Sequence, residues 1–454
     1  MPLLVRRCLR LLAATPSVAL IAVIFITSCA PKTASLPKPQ EVWALPAAPA
    51  YTYPIENPYA ATVITVPPEM KLDYSDLPKP DEKTLTVFPG RAIPEGFWYD
   101  RGLRYSELIQ PKPAPLVYVI AGTGADSRAE KMRTIGNILY SAGFSVVLLP
   151  SPTHQNFIIN ASSNYLVGRP QQSAEDLYRV MQLIDGDITA RTTVTARMLT
   201  GYSLGALDAA FTAKLDDEQH ALNFSRVLLI NPPLNLYSSI TTISKMLYQG
   251  LPHGMDDADG FIKAALLRLH SINQSGDPLD FSNERTLIDA YEKYKPDDTT
   301  LATTIGLSFR LSAASMAFTA DVMSRTGYLF PKDKEFTTET NLTHSMSLAL
   351  RTSFVDYFNE YYAQKIHLTN PGMTKQEMID EAGLSYLDGY IHHNPKFGLI
   401  TNLDDIILAP GEVDTLARMF SPNAFVFSTG GHIGNLAHPT IGYDIVHFLR
   451  DGTS

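Results

Sequence analysis

Cysteine is almost absent from this chain of 454 residues, which contains only Cys8 and Cys29. Both lie close to the N-terminus, so disulfides cannot stabilise the remainder of the chain. No cluster of cysteine and histidine has zinc-binding spacing, and the pair His392-His393 alone is weak evidence for a metal site. We therefore predict a fold that depends on its hydrophobic core and uses neither a cofactor nor a metal.

Charged residues are also few, at 18% of the chain, and acidic residues exceed basic ones to give a formal net charge of -9. A negative protein lacks the basic surface that nucleic acids require, so no nucleic-acid partner is expected. The phosphate-binding patterns GxGxxG and GxxxxGK(S/T) are not completed, which makes a nucleotide site a weak alternative. In contrast, 45% of the residues are apolar, and this is enough for one large domain.

The first 28 residues resemble a bacterial lipoprotein signal peptide. Arginines at positions 6, 7 and 10 precede an apolar run at 18–25, and Ile26-Thr27-Ser28-Cys29 resembles a lipobox. The resemblance implies that residues 1–28 are removed, which changes the net charge from -9 to -12, and that Cys29 carries the lipid anchor. Because Ala30 and not aspartate follows the cysteine, we expect the outer membrane, with the protein facing the periplasm.

Two alternatives to lipidation are an uncleaved membrane helix and an ordinary signal peptide. The apolar run is short and is interrupted near its start by Pro16, which argues against a membrane span. Residues 29–81 then contain many prolines and little periodicity. This composition predicts an extended tether between the anchor and the body of the protein.

The most informative motif is Gly201-Tyr202-Ser203-Leu204-Gly205, which stands between a mostly apolar run at 196–199 and a helix-forming run at 206–214. A serine at a sharp strand-to-helix turn is lifted clear of the sheet, and glycines on both sides allow close packing of the main chain. Ser203 is therefore the candidate nucleophile. It needs an imidazole to accept its proton and a carboxylate to orient that imidazole.

Candidates for both partners follow later in the chain. A buried strand predicted at 397–401 ends in an acidic turn, where Asp405 is the favoured acid and Asp404 the alternative. Both could instead be solvated turn carboxylates or a helix cap. The next predicted strand, 423–428, leads into a glycine-rich loop that carries His432, the candidate base.

The loop after the apolar strand 116–120 is predicted to stabilise the negative charge of the reaction intermediate. This loop, at 121–126, is flexible enough to direct backbone N–H groups at a developing oxyanion. We expect donors from Thr123 and from Leu204, the residue after the nucleophile. The candidate substrate-binding residues are Tyr202 and His154, which follows another predicted strand end. The position of His154 nevertheless favours an ordinary loop histidine over a substrate contact.

The order of these parts along the chain resembles the α/β-hydrolase superfamily. The pair Asp404-Asp405 and the stretch Gly430-Gly431-His432-Ile433-Gly434 are similar to the DD and GGHxG loops of one esterase branch, whereas the oxyanion loop lacks the His-Gly opening of that branch. The resemblance implies an α/β-hydrolase fold, with a mostly parallel central sheet flanked by helices. It assigns residues 82–234 and 395–454 to the hydrolase core.

Alternating patterns support this fold class. Further strands are predicted at 84–88, 104–108, 144–149 and 227–230, and helices at 131–142, 174–184 and 441–449. Residues 235–394 exceed any simple crossover between strands, so we predict a helical cap inserted before the strand that carries the acid. Its predicted helices are 261–269, 287–294, 348–362 and 375–382.

Apolar and aromatic residues of the predicted cap could form the substrate pocket, although most are expected to be core of the cap itself. They are Phe318, Met323, Phe354, Tyr357, Phe358, Tyr361 and Tyr362. The resulting expectation is an esterase-like or lipase-like serine hydrolase that acts on a small-molecule or lipid-like acyl substrate. An acyltransferase with the same triad and a non-catalytic envelope binding module remain alternatives.

Overall fold

The structure is a computed structural model that describes residues 51–261, 288 and 291–452. The predicted signal peptide and Cys29 lie outside the described residues, as do residues 262–269 of the helix predicted at 261–269 and residues 287, 289 and 290 of the helix predicted at 287–294.

An eight-stranded sheet forms the centre of the molecule, with the spatial order β1-β2-β4-β3-β5-β6-β7-β8. In chain order the strands are Asp81–Leu85, Leu103–Leu108, Ala114–Ile120, Ser145–Leu149, Val194–Tyr202, Arg226–Ile230, Phe397–Asn402 and Ala424–Phe427. Strand β2 pairs antiparallel with β1 and β4, and the remaining neighbours are parallel. Strands β3, β4 and β6 are nearly continuous apolar runs because helices cover both of their faces.

The registers bring the carboxyl ends of β3, β5, β6, β7 and β8 to one edge of the sheet. The pairs at this edge are Ile120 with Gly201, Tyr202 with Ile230, and Asn402 with Phe427. The loops after β3, β5, β7 and β8, which contain the predicted site residues, therefore emerge side by side.

Helices lie on both faces of the sheet and in the segment between β6 and β7. In chain order, α1 to α14 are Pro58–Ile64, Glu130–Ser141, Gln155–Asn160, Pro170–Thr189, Leu204–Gln219, Leu236–Gly250, Asp298–Ser324, Thr343–Arg351, Phe354–Asp356, Ala363–Thr369, Lys375–Glu381, Asp388–Ile391, Glu412–Met419 and Pro439–Asp451. Short 3-10 helices are Pro68–Met70, Glu95–Asp100, Gly254–Asp256 and Leu384–Leu387, and a π-helix, Tyr357–Tyr362, joins α9 to α10. One buried cluster joins α4, α5 and α13 to the sheet, and a second joins α2 and α14 to it.

The described part of residues 235–394 forms helices, and its centre is the close pair α6 and α7. A Cβ added at Gly306 of α7 would lie 2.4 Å from the backbone nitrogen of Leu247, and one at Gly250 would lie 2.6 Å from Thr303. These glycines let the two helix backbones approach each other. Neither helix was among those predicted from the sequence for residues 235–394.

By length and composition α7 could span a membrane, yet 72% of its most apolar window is buried inside the protein, as in the core helix of a folded domain.

The prediction of one continuous helix at 348–362 is wrong. Helix α8 ends at Arg351, and Ser353 starts a new helix through a capping box with Asp356.

The predicted tether is wrong for the part that the structure describes. Residues 51–80 do not extend away from the body: Tyr53, Ala60, Ala61, Ile64 and Val66 are buried against it. Asn57 caps α1 by accepting a hydrogen bond from the backbone of Ala60, and Pro58 occupies the first turn. A short helix with apolar residues on its inner side can bury them, which a proline count does not reveal.

Candidate active site

Ser203 lies at the turn between β5 and α5 with backbone angles of φ 55° and ψ -127°. Positive φ is uncommon for a residue other than glycine and is sterically costly. The strained turn is held by two backbone bonds, from Ser203 N to Ile230 O at 2.8 Å and from Ala206 N to Ser203 O at 3.0 Å. This is the geometry of a nucleophile elbow, as the motif predicts.

The two glycines of the motif are required by contacts between main chains. A Cβ at Gly201 would lie 2.2 Å from the carbonyl oxygen of Gly205. A Cβ at Gly205 would lie 2.3 Å from the carbonyl oxygen of Ile120, at the end of β3. The elbow therefore fits against the oxyanion loop only when both positions lack a side chain.

The structure brings Ser203, His432 and Asp405 into one hydrogen-bonded chain. His432 Nε2 is 2.9 Å from Ser203 Oγ, and His432 Nδ1 is 3.0 Å from both carboxylate oxygens of Asp405. All three residues are buried, with 4–7% of their surfaces exposed. Burial excludes water, which strengthens the electrostatic interactions along the chain.

The two adjacent aspartates have different environments. Asp405 Oδ1 also accepts a hydrogen bond from Ile407 N at 3.1 Å. Asp404 faces the backbone of the histidine loop, where it accepts hydrogen bonds from the N–H groups of Gly430 and Gly431 at 3.1 and 2.9 Å. Burial raises the pKa of Asp404 above its usual range, and these hydrogen bonds partly oppose the shift. Asp404 is thus placed to hold the loop, whereas Asp405 contacts the imidazole.

Three asparagines that the motifs do not include complete the network. Asn231, after β6, donates from Nδ2 to Asp405 Oδ2 at 2.8 Å. Asn402, at the end of β7, donates to Gly431 O at 2.8 Å and pairs with Asn435 through reciprocal amide bonds. The only sequence sign of Asn231 is its place before Pro232, at a strand end on the same edge of the sheet.

The proposed oxyanion donors, Thr123 and Leu204, line the same cavity as Ser203. Tyr202 does not belong to the described lining of that cavity. It is buried, and a Cβ at Gly122 would lie 2.6 Å from its ring. The ring of Tyr202 thus packs against the backbone of the predicted oxyanion loop at Gly122. The structure does not place Tyr202 where it was predicted to contact the substrate.

His154 is also absent from the described lining, and its neighbour Thr153 lies there in its place. The His154 Nδ1 accepts a hydrogen bond from Asn156 N at 3.2 Å and thereby caps α3. Burial lowers the pKa of His154, which keeps the imidazole neutral and able to accept. Thr153 Oγ1 accepts from Gly124 N at 2.8 Å and so supports the oxyanion loop, a role that the sequence analysis missed.

A cavity opens above Ser203, between the sheet edge and the helices of residues 235–394. Of the seven cap residues predicted as candidates, Phe354, Tyr357, Phe358 and Tyr362 line it, and the described lining contains no charged side chain. The rest of the lining consists of Thr123, Thr153, Val167, Gly168, Leu204, Pro233, Leu236, Tyr237, Ser239, Ile240, Ile243, Phe309, Met316, Ile379, Ala382 and Ile407. Such a surface suits an uncharged, apolar group.

No metal-binding group of three or more histidine, cysteine, aspartate or glutamate side chains occurs in the described ranges.

The strand order, the strained serine between β5 and α5 and the loops after β7 and β8 define an α/β-hydrolase fold. The fold class predicted from the sequence is confirmed.

Comparisons with solved structures find similarities at low sequence identity. The chain is similar to the thioesterase domain from the curacin biosynthetic pathway, with 14% identity, 82% of this chain and 99% of that chain covered, and a TM-score of 0.35. It is similar to an esterase of Pyrococcus furiosus, with 11% identity, 83% of this chain and 92% of that chain covered, and a TM-score of 0.39. It is also similar to a proline iminopeptidase-related protein of Thermus thermophilus, with 12% identity, 82% of this chain and 98% of that chain covered, and a TM-score of 0.37. No protein-family model and no curated protein sequence matches the chain. Similarities at this level say nothing about its substrate.

Proposed function

We propose that the protein is a serine hydrolase that cleaves a carboxylic ester or a related acyl compound. The observation that carries this proposal is the hydrogen-bonded chain from Ser203 Oγ through His432 to Asp405, at the floor of an apolar cavity. Structural residues do not normally combine a strained serine, a buried imidazole and a buried carboxylate in this order.

The geometry assigns a role to each group. The Ser203 hydroxyl donates to His432 Nε2, which accepts its proton as the oxygen attacks the substrate carbonyl carbon. Asp405 accepts a hydrogen bond from Nδ1–H of His432, which fixes the tautomer whose Nε2 lone pair can accept the Ser203 proton. Backbone N–H groups of Thr123 and Leu204 stabilise the oxyanion, and each such donor typically lowers the barrier by about 3 kcal/mol.

The reaction then has two halves. His432 returns the proton to the departing alcohol, which leaves an acyl group on Ser203. Water then enters and attacks the acyl carbon while His432 accepts one of its protons. His432 returns that proton to Ser203 Oγ as the bond between this oxygen and the acyl carbon breaks, and the acid product is released.

The cavity lining supports an apolar, uncharged acyl or alcohol part. A charged substrate group would lose its hydration without finding an opposite charge among the described lining residues, and this desolvation is costly. We infer that neutral esters with apolar chains are preferred over esters that carry a carboxylate near the scissile bond.

The first test is labelling with a fluorophosphonate probe together with hydrolysis of a graded series of p-nitrophenyl acyl esters. Wild type is expected to be labelled and to favour the apolar esters, and Ser203→Ala to lose both properties. Folded wild-type protein that is neither labelled nor active would refute the proposal and would favour a binding module.

A matched pair of variants tests the acid. Asp405→Asn should lower kcat by about three to four orders of magnitude, because the amide holds the wrong imidazole tautomer. Asp404→Asn keeps one acceptor for the backbone of the histidine loop and should stay within about tenfold of wild type. The reverse order of kcat values would reassign the acid to Asp404.

We further propose that the protein is anchored to the outer membrane, facing the periplasm, through lipidated Cys29. The support is the positive, apolar and lipobox pattern of residues 1–29. Cells fed a clickable palmitate analogue should label the wild type and not Cys29→Ser. Retention of the label in the variant would contradict the proposal.

A further inference from the structure

Helix α1 lies directly against the histidine loop, defined here as residues 429–435. Thr62 Oγ1 accepts a hydrogen bond from His432 N at 2.9 Å and donates one to Pro58 O at 2.7 Å. A hydroxyl has a single proton, so the bond to Pro58 leaves the oxygen lone pairs directed at His432. The main chain of the candidate base is thus held by a residue about 370 positions earlier.

The contact with α1 also explains two of the three glycines of the loop, Gly431 and Gly434. A Cβ at Gly431 would lie 2.3 Å from Pro58 O, and a Cβ at Gly434 would lie 2.1 Å from Ala61 O. No side chain fits at these distances. The glycines therefore allow the backbone of α1 to lie on the loop.

Tyr51 makes a second attachment at the other end of the loop. Its hydroxyl donates to Thr429 O at 2.5 Å and accepts from Asn435 Nδ2 at 2.9 Å. Its ring is 4.7 Å from that of Phe427 and 4.9 Å from that of His438, measured between centroids. Asn435 in turn bonds Asn402, so Tyr51 is linked to the acid loop as well.

The opposite side of α1 contacts the cap. Asn57 Nδ2 donates to Asp298 Oδ1 at 2.6 Å, and Ala60 and Ile64 are buried in a cluster with Leu301 of α7. Helix α1 is therefore wedged between the histidine loop and the central cap helix.

We infer that residues 51–66 form a strap that positions His432, with Thr62 as its main positioning residue. The inference rests on the proposed function. The loop needs such support, because Ile433 has a φ of 63°, a conformation that a β-branched residue adopts only when its surroundings enforce it. With the strap in place, the ring of His432 stays within hydrogen-bond distance of Ser203.

The experiment compares Thr62→Val with Thr62→Ser and Thr304→Val in the full chain. Thr304 is the matched control, since its hydroxyl also donates to the carbonyl four residues earlier, at Thr300, but touches no part of the site. Thr62→Val is expected to lower kcat by about tenfold with KM within about twofold, because small displacements of a catalytic group reduce the rate. Thr62→Ser should restore kcat, and Thr304→Val should leave it unchanged.

Hydrogen exchange of peptides covering 428–437 gives a second measurement that does not need activity. Faster exchange is expected in Thr62→Val and not in Thr304→Val. The strap would be refuted if Thr62→Val had the same kcat and the same exchange rates as wild type. It would also be refuted if Thr62→Val and Thr304→Val lost kcat and protection from exchange to the same extent. If wild type proves inactive and unlabelled, the proposed function fails, and the exchange comparison alone decides: a selective increase supports the strap, and equal exchange rejects it.

Discussion

Among single residues, Asn231 has the most direct influence on the acid apart from the histidine. It is 1% exposed, has a φ of 46° and points Nδ2 at Asp405 Oδ2. Asparagine tolerates positive φ better than most residues, so one position supplies both the turn and the hydrogen-bond donor.

Replacing Asn231 with aspartate is predicted to change the pH profile. Asn231→Asp keeps the size and the turn but places a second carboxylate beside Asp405. The added negative charge favours the protonated imidazolium, which cannot accept the Ser203 proton, so the acidic limb of kcat/KM should move to higher pH by about one unit.

The control for this variant is Asn223→Asp. Asn223 also has positive φ, at 56°, but is exposed and lies before β6 at the far edge of the sheet. Its profile should match that of wild type. An unmoved acidic limb in Asn231→Asp would mean that Asn231 does not influence the reacting groups.

Among the elements, the elbow and α5 depend on a backbone approach that tolerates no added atom. Gly205→Ala would place a methyl group 2.3 Å from Ile120 O and 2.5 Å from Ala121 O. We predict a loss of about 1–3 kcal/mol or more in the free energy of unfolding, measured in urea, because two backbones must separate. Activity should fall with it, since Leu204 N moves.

Gly186 in α4 supplies the opposite case. A Cβ there has no neighbour within 4 Å, and the residue lies inside a regular helix. Gly186→Ala should therefore stabilise the protein by about 0.4–1 kcal/mol. If both alanine variants shifted the urea midpoint in the same direction, the steric explanation of the elbow would be wrong.

For the molecule as a whole, stability should depend on pH through a carboxyl group remote from the triad. Asp176 of α4 is 3% exposed, and burial raises its pKa from 3.8 to about 6. The folded state therefore binds a proton more tightly than the unfolded state does. This contribution to stability is complete below about pH 4 and is lost as the pH rises to about 6.

Asp176→Asn is predicted to remove this dependence. Asparagine can still accept the hydrogen bond from Ser163 N, which is 3.0 Å from Asp176 Oδ2. Relative to wild type, the variant should gain about 1.4 kcal/mol in unfolding free energy for each pH unit between 4 and 6, and nothing further above 6. The control is Glu175→Gln, on the exposed side of the same helix. If the difference in unfolding free energy between Asp176→Asn and wild type stayed constant from pH 4 to 6, Asp176 would not be the group responsible for the pH dependence.

Much of the core was predictable because its elements have strong local patterns. The strands before the acid and the histidine are largely apolar, and the strand before Ser203 contains the shorter apolar stretch Met198-Leu199. The structure has all three strands within a few residues of their predicted bounds. Helix α7 was missed because it is rich in small and hydroxyl residues and is buried on most sides, which weakens the periodicity that identifies an amphipathic helix.

Within the site, the residue types at the strand ends can be read directly from the sequence. A parallel sheet must then bring those ends to one edge, so Ser203, Asp405 and His432 were predictable as a group. Their surroundings depend on long-range packing, which places Thr153 and not His154 at the cavity, Asn231 beside the acid, and α1 on the histidine loop. These contacts join segments far apart in the chain, and no local pattern encodes which distant backbone will fill the space beside a glycine.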